Sequence, residues 1–171
     1  KALITEPFIP TVILGGRRVE VKGSAEQKQS LLAAVIQGEL QMALAYEERG
    51  SRGNPACIAT QAQAVGDDYV LSGEKVMVLN GHAADKLLVT ARTSGSLVER
   101  EGVSLFVIDA DADGVDITGY STMEGGRAAN VVLNGVKVAA AQRLGVEGQA
   151  LAAVETVLDE ATIAIGSEAV G

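Results

Sequence analysis

Few side chains in this 171-residue chain can do chemistry unaided. Cys57 is the only cysteine and His82 the only histidine. One histidine cannot build a His-rich metal site or, without a plausible serine elbow, a hydrolase triad. His82 follows Asn80-Gly81 and reads as a surface turn residue. Free cysteine packs as a small apolar side chain more often than it reacts, and Cys57 is read that way. With no second cysteine there is no internal disulfide, which fits a reducing compartment and a cytoplasmic location. The run DADADG from Asp109 to Gly114 opens like an EF-hand calcium loop, with oxygen ligands at alternate positions. Its twelfth position is Tyr120 rather than a bidentate Glu, and Phe106–Ile108 before it has a strand pattern, not a helical one. An acidic turn leaving a strand is expected there, and no metal. Gly15-Gly16 and Gly125-Gly126 lack phosphate-loop spacing and read as plain turns. Arg17-Arg18 reads as a solvated turn. Arg127 stays open between a surface charge and a ligand contact.

The elements that would position these groups are short and mostly extended. Ser72-Gly73 and Asn80-Gly81 favour tight turns, so Tyr69–Leu71, Val76–Leu79 and Leu87–Ala91 are expected as successive strands. Gln41–Tyr46, Cys57–Val65, Val103–Ile108, Val115–Ile117, Ala129–Leu133 and Val136–Val138 complete an array of eight or nine strands. That spacing implies an antiparallel β-barrel or sandwich. Helical patterns flank it. Ser24 and Gln27 make a capping box, Leu31, Leu32, Val35 and Ile36 recur at helical spacing, and Gly38 is a C-terminal stop. Leu151, Val154, Leu158, Ala161 and Ile165 predict a helix from Gly148 to Ala169. Lys1–Lys22, broken by Pro7, Pro10 and Gly15-Gly16, is not expected as one helix; Thr11–Leu14 is either a helical turn or extended.

A net charge of −8 argues against non-specific binding to nucleic acid or anionic membranes, which needs a basic face. No apolar run approaches the ~18 residues of a membrane span. The chain begins at Lys1 without Met and reads as an internal fragment or a processed start.

The stretch YVLSGEKVMVLNGHAADKLLVTART, Tyr69 to Thr93, resembles a signature of the acyl-CoA dehydrogenases, with Lys75, Asn80, Gly81 and Asp85 at matching places. Gly23–Leu40, Gln41–Thr60, Gly102–Gly114 and Leu144–Gly171 are similar, in the right order, to further segments of that family. The resemblance implies an α+β fold, with residues 1–40 ending an N-terminal helical domain, 41–142 forming a middle β-barrel domain, and 143–171 starting a C-terminal helical domain. It also implies a flavoenzyme, an oxidoreductase of fatty acid metabolism. Its reaction would be α,β-dehydrogenation of an acyl-CoA with hydride transfer to FAD. The implied partners are an acyl-CoA substrate, an electron-transfer protein and further subunits of a homo- or hetero-oligomer.

Two loops hold the flavin in that family, and the resemblance places Ala45, Gly50 and Ser51 in the first and Met77 and Leu79 in the second. Ala45 stands where the family has Thr, and Met77, Val78 and Leu79 replace its W-I-T. The side-chain donors of Thr are thereby lost at both loops, while Met77 still offers a polarisable surface to a ring. Glu47 and Glu48 beside the first loop read as solvated carboxylates. The family's catalytic carboxylate lies in its C-terminal domain, beyond Gly171, so no base is assigned here and the fragment alone is not expected to turn over. The alternative is a non-catalytic structural subunit that has lost flavin.

Overall fold

A computed structural model describes residues 7–123 and 125–170. Eight strands form one sheet: β1 (Met42–Ala45), β2 (Gln61–Val65), β3 (Asp68–Leu79), β4 (Lys86–Arg92), β5 (Val103–Asp109), β6 (Val115–Ser121), β7 (Arg127–Val138) and β8 (Arg143–Leu144). Their order is β6-β7-β3-β2-β4-β5-β8, with β1 alongside β4. The path ends at β6 and β8 and does not close, so the fold is an α+β sandwich rather than a barrel. β2 is the fold line. It runs antiparallel to β3 along its length but meets β4, in parallel, only at Gln61 and Arg92. The β1–β4 pair is parallel as well, so the sheet is mixed rather than wholly antiparallel.

Burial explains the sequence pattern. Ala43, Ala45, Leu87, Val89, Phe106 and Ile108 face Leu71, Val131 and Val136 of the other layer, and Phe106 meets Tyr69 edge to face at 5.0 Å. The alternate residues of the same strands, Met42, Leu44, Leu88, Leu105 and Val107, pack on the helices. β1, β4 and β5 are covered on both faces and therefore read as unbroken apolar runs. β6 and much of β3 and β7 have one open face and alternate.

Three helical segments cover the outer face of the β1-β4-β5 layer: α1 (residues 9–22), α2 (residues 25–37) and α3 (Leu151–Val170). The capping box is present, with Gln27 N–H on Ser24 Oγ at 3.2 Å and Ser24 N–H on Gln27 Oε1 at 2.8 Å. Gly38 closes α2 in the left-handed region at φ 74°. α1 is continuous from a π-helical turn at Ile9–Gly16 into Arg17–Lys22, so the expected break at Gly15-Gly16 does not occur. Pro10 sits in the first turn, where a missing N–H goes unnoticed. Gly15 is needed for close approach, since a Cβ there would stand 2.6 Å from the Met42 Cβ. Expectations for Lys1–Glu6 lie outside the described residues.

Arg18 is likewise not solvated. It is 1% exposed, its Nη1 donates to the Ala153 carbonyl of α3, and Glu160 lies 4.0 Å away. Ser72-Gly73 is not a turn either, because β3 runs straight through it. Gly73 lies against Thr60, where any Cβ would fall 2.4 Å from the threonine hydroxyl. The two strands expected at 129–133 and 136–138 are one, β7, with Gly135 (φ 68°) bulged opposite Leu71 and Ser72. The strand expected over Cys57–Val65 starts only at Gln61, the preceding residues being loop.

Candidate functional site

The site grows from the end of β1. Ala45 is buried, and its carbonyl accepts from Thr90 Oγ1 at 3.4 Å. The chain then leaves the sheet in a tight loop, Glu47–Gly53. Ser51 N–H donates to the Glu48 carbonyl at 3.0 Å, and Gly53 N–H to Glu47 Oε1 at 3.1 Å. The Ser51 hydroxyl lies 2.5 Å from Glu47 Oε1 and 2.8 Å from the Glu48 carbonyl, and accepts from Glu48 N–H at 3.3 Å. Ser51 thus organises its own loop, while Gly50 stands exposed at the tip.

Glu48 is buried, which overturns its reading as a solvated carboxylate. Oε1 accepts from Lys75 Nζ at 2.7 Å, Thr60 Oγ1 at 2.7 Å and Thr60 N–H at 3.1 Å; Oε2 accepts from Ala59 N–H at 2.7 Å. Lys75 is wholly buried and also donates to Thr90 Oγ1 at 3.0 Å. Burial works to raise the Glu48 carboxyl, but the Lys75 charge and these hydrogen bonds outweigh it and hold the group below its ordinary value. Burial pushes the Lys75 ammonium down to about 8, with Glu48 opposing that shift.

The residues after Lys75 form the other wall. The β3–β7 register slips between Lys75 and Val78, and Met77 takes φ 54° in this bulge. Val76 N–H donates to the Glu47 carbonyl at 2.9 Å, tying the bulge to the loop. Met77 is turned outward, 51% exposed, with the Tyr120 hydroxyl 3.0 Å from its sulfur. Between loop and bulge lies a groove of about 560 Å³ lined by Glu47, Glu48, Arg49, Arg52, Val76, Met77, Tyr120 and Asn130.

Of the five residues assigned from sequence, the structure places Met77 on this groove, Gly50 and Ser51 in the loop that bounds it, and Ala45 buried beneath. Leu79 lies further along β3, paired with Ala128 and not lining the groove. Tyr120 and Asn130 come from parts of the chain that the sequence did not connect with this site, and Arg52, beside Ser51 in the assigned loop, was not itself singled out. The residues fit a flat ring with a polar edge. Val76 and Met77 offer apolar and thioether surface, Asn130 and Tyr120 offer hydrogen bonds, and Arg52 offers positive charge at the rim.

Among the described residues no group of three or more His, Cys, Asp or Glu is arranged to hold a metal, and no helix is long and apolar enough to cross a membrane. The profile described as "Acyl-CoA dehydrogenase, middle domain" matches residues 43–136, more than half of the chain and the span that carries the groove. The chain belongs to the acyl-CoA dehydrogenase family. It is 27% identical over 161 residues to the acyl-CoA dehydrogenase FadE29 of Mycobacterium tuberculosis, covering 92% of this chain and 42% of that protein. A solved glutaryl-CoA dehydrogenase from Mycobacterium smegmatis in complex with FADH2 superposes with a TM-score of 0.78 at 27% identity, covering 87% of this chain and 38% of that one. A chain of the ChsE4–ChsE5 complex from Mycobacterium tuberculosis superposes with a TM-score of 0.80 at 27% identity, covering 92% and 40%. The chain thus spans about two fifths of the length of these relatives.

Proposed function

We propose that the chain is the flavin-bearing middle part of an acyl-CoA dehydrogenase that oxidises an acyl thioester between its α and β carbons. The observation that carries this reading is the groove between the Glu47–Gly53 loop and the Met77 bulge, within a family-matched β domain. The chemistry FAD supplies when bound is acceptance of a hydride from the β carbon. This chain's residues would hold and orient the ring: Val76 and Met77 as apolar surface, Asn130 and Tyr120 at its polar edge, Arg52 toward its anionic part. The loop wall is held in shape by Glu47 Oε1, which accepts from the Ser51 hydroxyl and from Gly53 N–H. The remainder of the site, including the α-proton base, is assigned to parts of the protein outside this chain. An oligomer and an electron-accepting partner belong to the same proposal.

A second reading, a structural subunit without flavin, draws support from the same loop. Ala45 has no donor, Leu79 none, and the Ser51 hydroxyl is committed internally. The visible spectrum of the full-length protein, purified with any subunit that accompanies it, separates the two. A near-stoichiometric flavin band that bleaches on adding an acyl-CoA supports the dehydrogenase. Absence of flavin after incubation with excess FAD supports the structural subunit.

A further inference from the structure

The groove walls belong to segments far apart in sequence, and one buried ion pair joins them. We propose that Lys75 and Glu48 are positioning residues, whose pair fixes the Glu47–Gly53 loop against the Val76–Met77 bulge and so sets the shape of the groove. The proposal rests on the reading of that groove as the flavin site, but its physical content does not need flavin.

The geometry assigns this role for three reasons. Lys75 immediately precedes the bulge, so where its ammonium is held determines where Val76 and Met77 emerge from β3. Glu48 lies inside the loop, and its carboxylate is gripped by β3 through Lys75 and by the segment before β2 through Ala59 N–H and Thr60. β4 completes the grip by way of Thr90, which receives Lys75 and reaches the Ala45 carbonyl. The direct backbone link between the walls, Val76 N–H to the Glu47 carbonyl, lies beside these anchors. A pair placed only for stability would have no reason to sit at the junction of both walls. A buried pair is also a weak stabiliser relative to apolar replacements, whereas it specifies one arrangement of the groups around it.

Removing only Lys75 leaves a buried uncompensated carboxylate and risks unfolding, so the informative variant is the double substitution Lys75→Met, Glu48→Gln in the full-length protein. The amide oxygen introduced by Glu48→Gln still accepts from Thr60 N–H and Oγ1, while its NH2 takes the place of the oxygen that faced Ala59 N–H, so that one anchor is lost with the charge. Unfolding midpoints are compared with Lys75→Met, and two further readouts are taken. Amide hydrogen exchange is measured without added cofactor, and FAD affinity is measured by titration. The expected result is that the double variant recovers most of the unfolding midpoint lost in Lys75→Met, while amides of residues 47–53 and Val76 exchange at least about tenfold faster, the loss of one charge-assisted anchor. Exchange across the β4–β5 ladder stays at the wild-type rate, and FAD binding weakens by a similar factor. Wild-type exchange at both walls in the folded double variant would overturn the proposal, as would loosening spread evenly over the sheet. If wild type itself takes up no FAD, the flavin reading fails, and the exchange result still decides the positioning role on its own.

Discussion

Among the described residues two cations are buried in strands, and they are neutralised differently. Lys75 of β3 meets a carboxylate. Arg92 of β4, 2% exposed, meets none within salt-bridge reach among the described residues; it donates to the carbonyls of Ala56, Ile58, Ser94, Leu97, Glu99 and Glu101. The planar guanidinium can fan its N–H groups over many dipoles, whereas an ammonium is a compact charge that wants a single anion. Arg92 thereby stitches the loop before β2 to the loop between β4 and β5, away from the groove. Lys75 ties the groove's two walls. The comparison teaches that a cation held by dipoles can be removed without leaving a net charge behind, and a cation held by an anion cannot.

The sharpest way to break the comparison is to delete each cation. Lys75→Met strands Glu48 as a buried charge and should cost about 3–5 kcal/mol in urea unfolding of the full-length protein. Arg92→Met should cost less, about 1–3 kcal/mol, because only carbonyls lose donors and those of Leu97, Glu99 and Glu101 are partly exposed and reach water. Equal losses would erase the distinction.

Acid and base sharpen it further. Glu48 has a folded pKa below its unfolded value, so its contribution is present above that unfolded value of 4.5 and is lost as pH falls through the lower folded one. Lys75 is also depressed, to about 8 from 10.5, so between these values the unfolded chain binds more protons than the folded one. The Lys75 contribution therefore raises stability as pH climbs through that window and is lost again as pH falls through about 8. Unfolding midpoints of wild type and of the Lys75→Met, Glu48→Gln variant, measured from about pH 3 to 10.5, should diverge in wild type's favour at the alkaline end, with an additional wild-type loss in acid. Parallel curves would contradict the assignment.

Much of this was legible in the sequence where local chemistry decides. The Ser24–Gln27 box, the Gly38 cap, the Asn80-Gly81 turn and the apolar face of α3 each follow from side chains a few residues apart. What was not legible depended on distant partners. Gly73 and Gly15 were read as turn formers, but each is glycine because another element presses on it. Glu48 looked solvated because its counter-ion is 27 residues away. One signal could have found it: alternation along β3 puts Lys75 on the same inward side as Tyr69 and Leu71, and an inward lysine demands an acid. Tyr120 and Asn130 reach the groove only through the β6–β7–β3 pairing, which no local pattern announces.

The central claim, that the groove beside Met77 receives the flavin, is tested most directly by titrating FAD into full-length wild type and Met77→Gly. Met77 is half exposed and already has a positive φ, where glycine relieves a cost of about 1–2 kcal/mol and adds about 0.5–1 kcal/mol of unfolded-chain entropy. Its unfolding midpoint should therefore stay level or rise slightly. FAD affinity should fall about threefold to tenfold as the thioether surface disappears. Unchanged affinity in a folded Met77→Gly protein would place the flavin elsewhere and contradict the account.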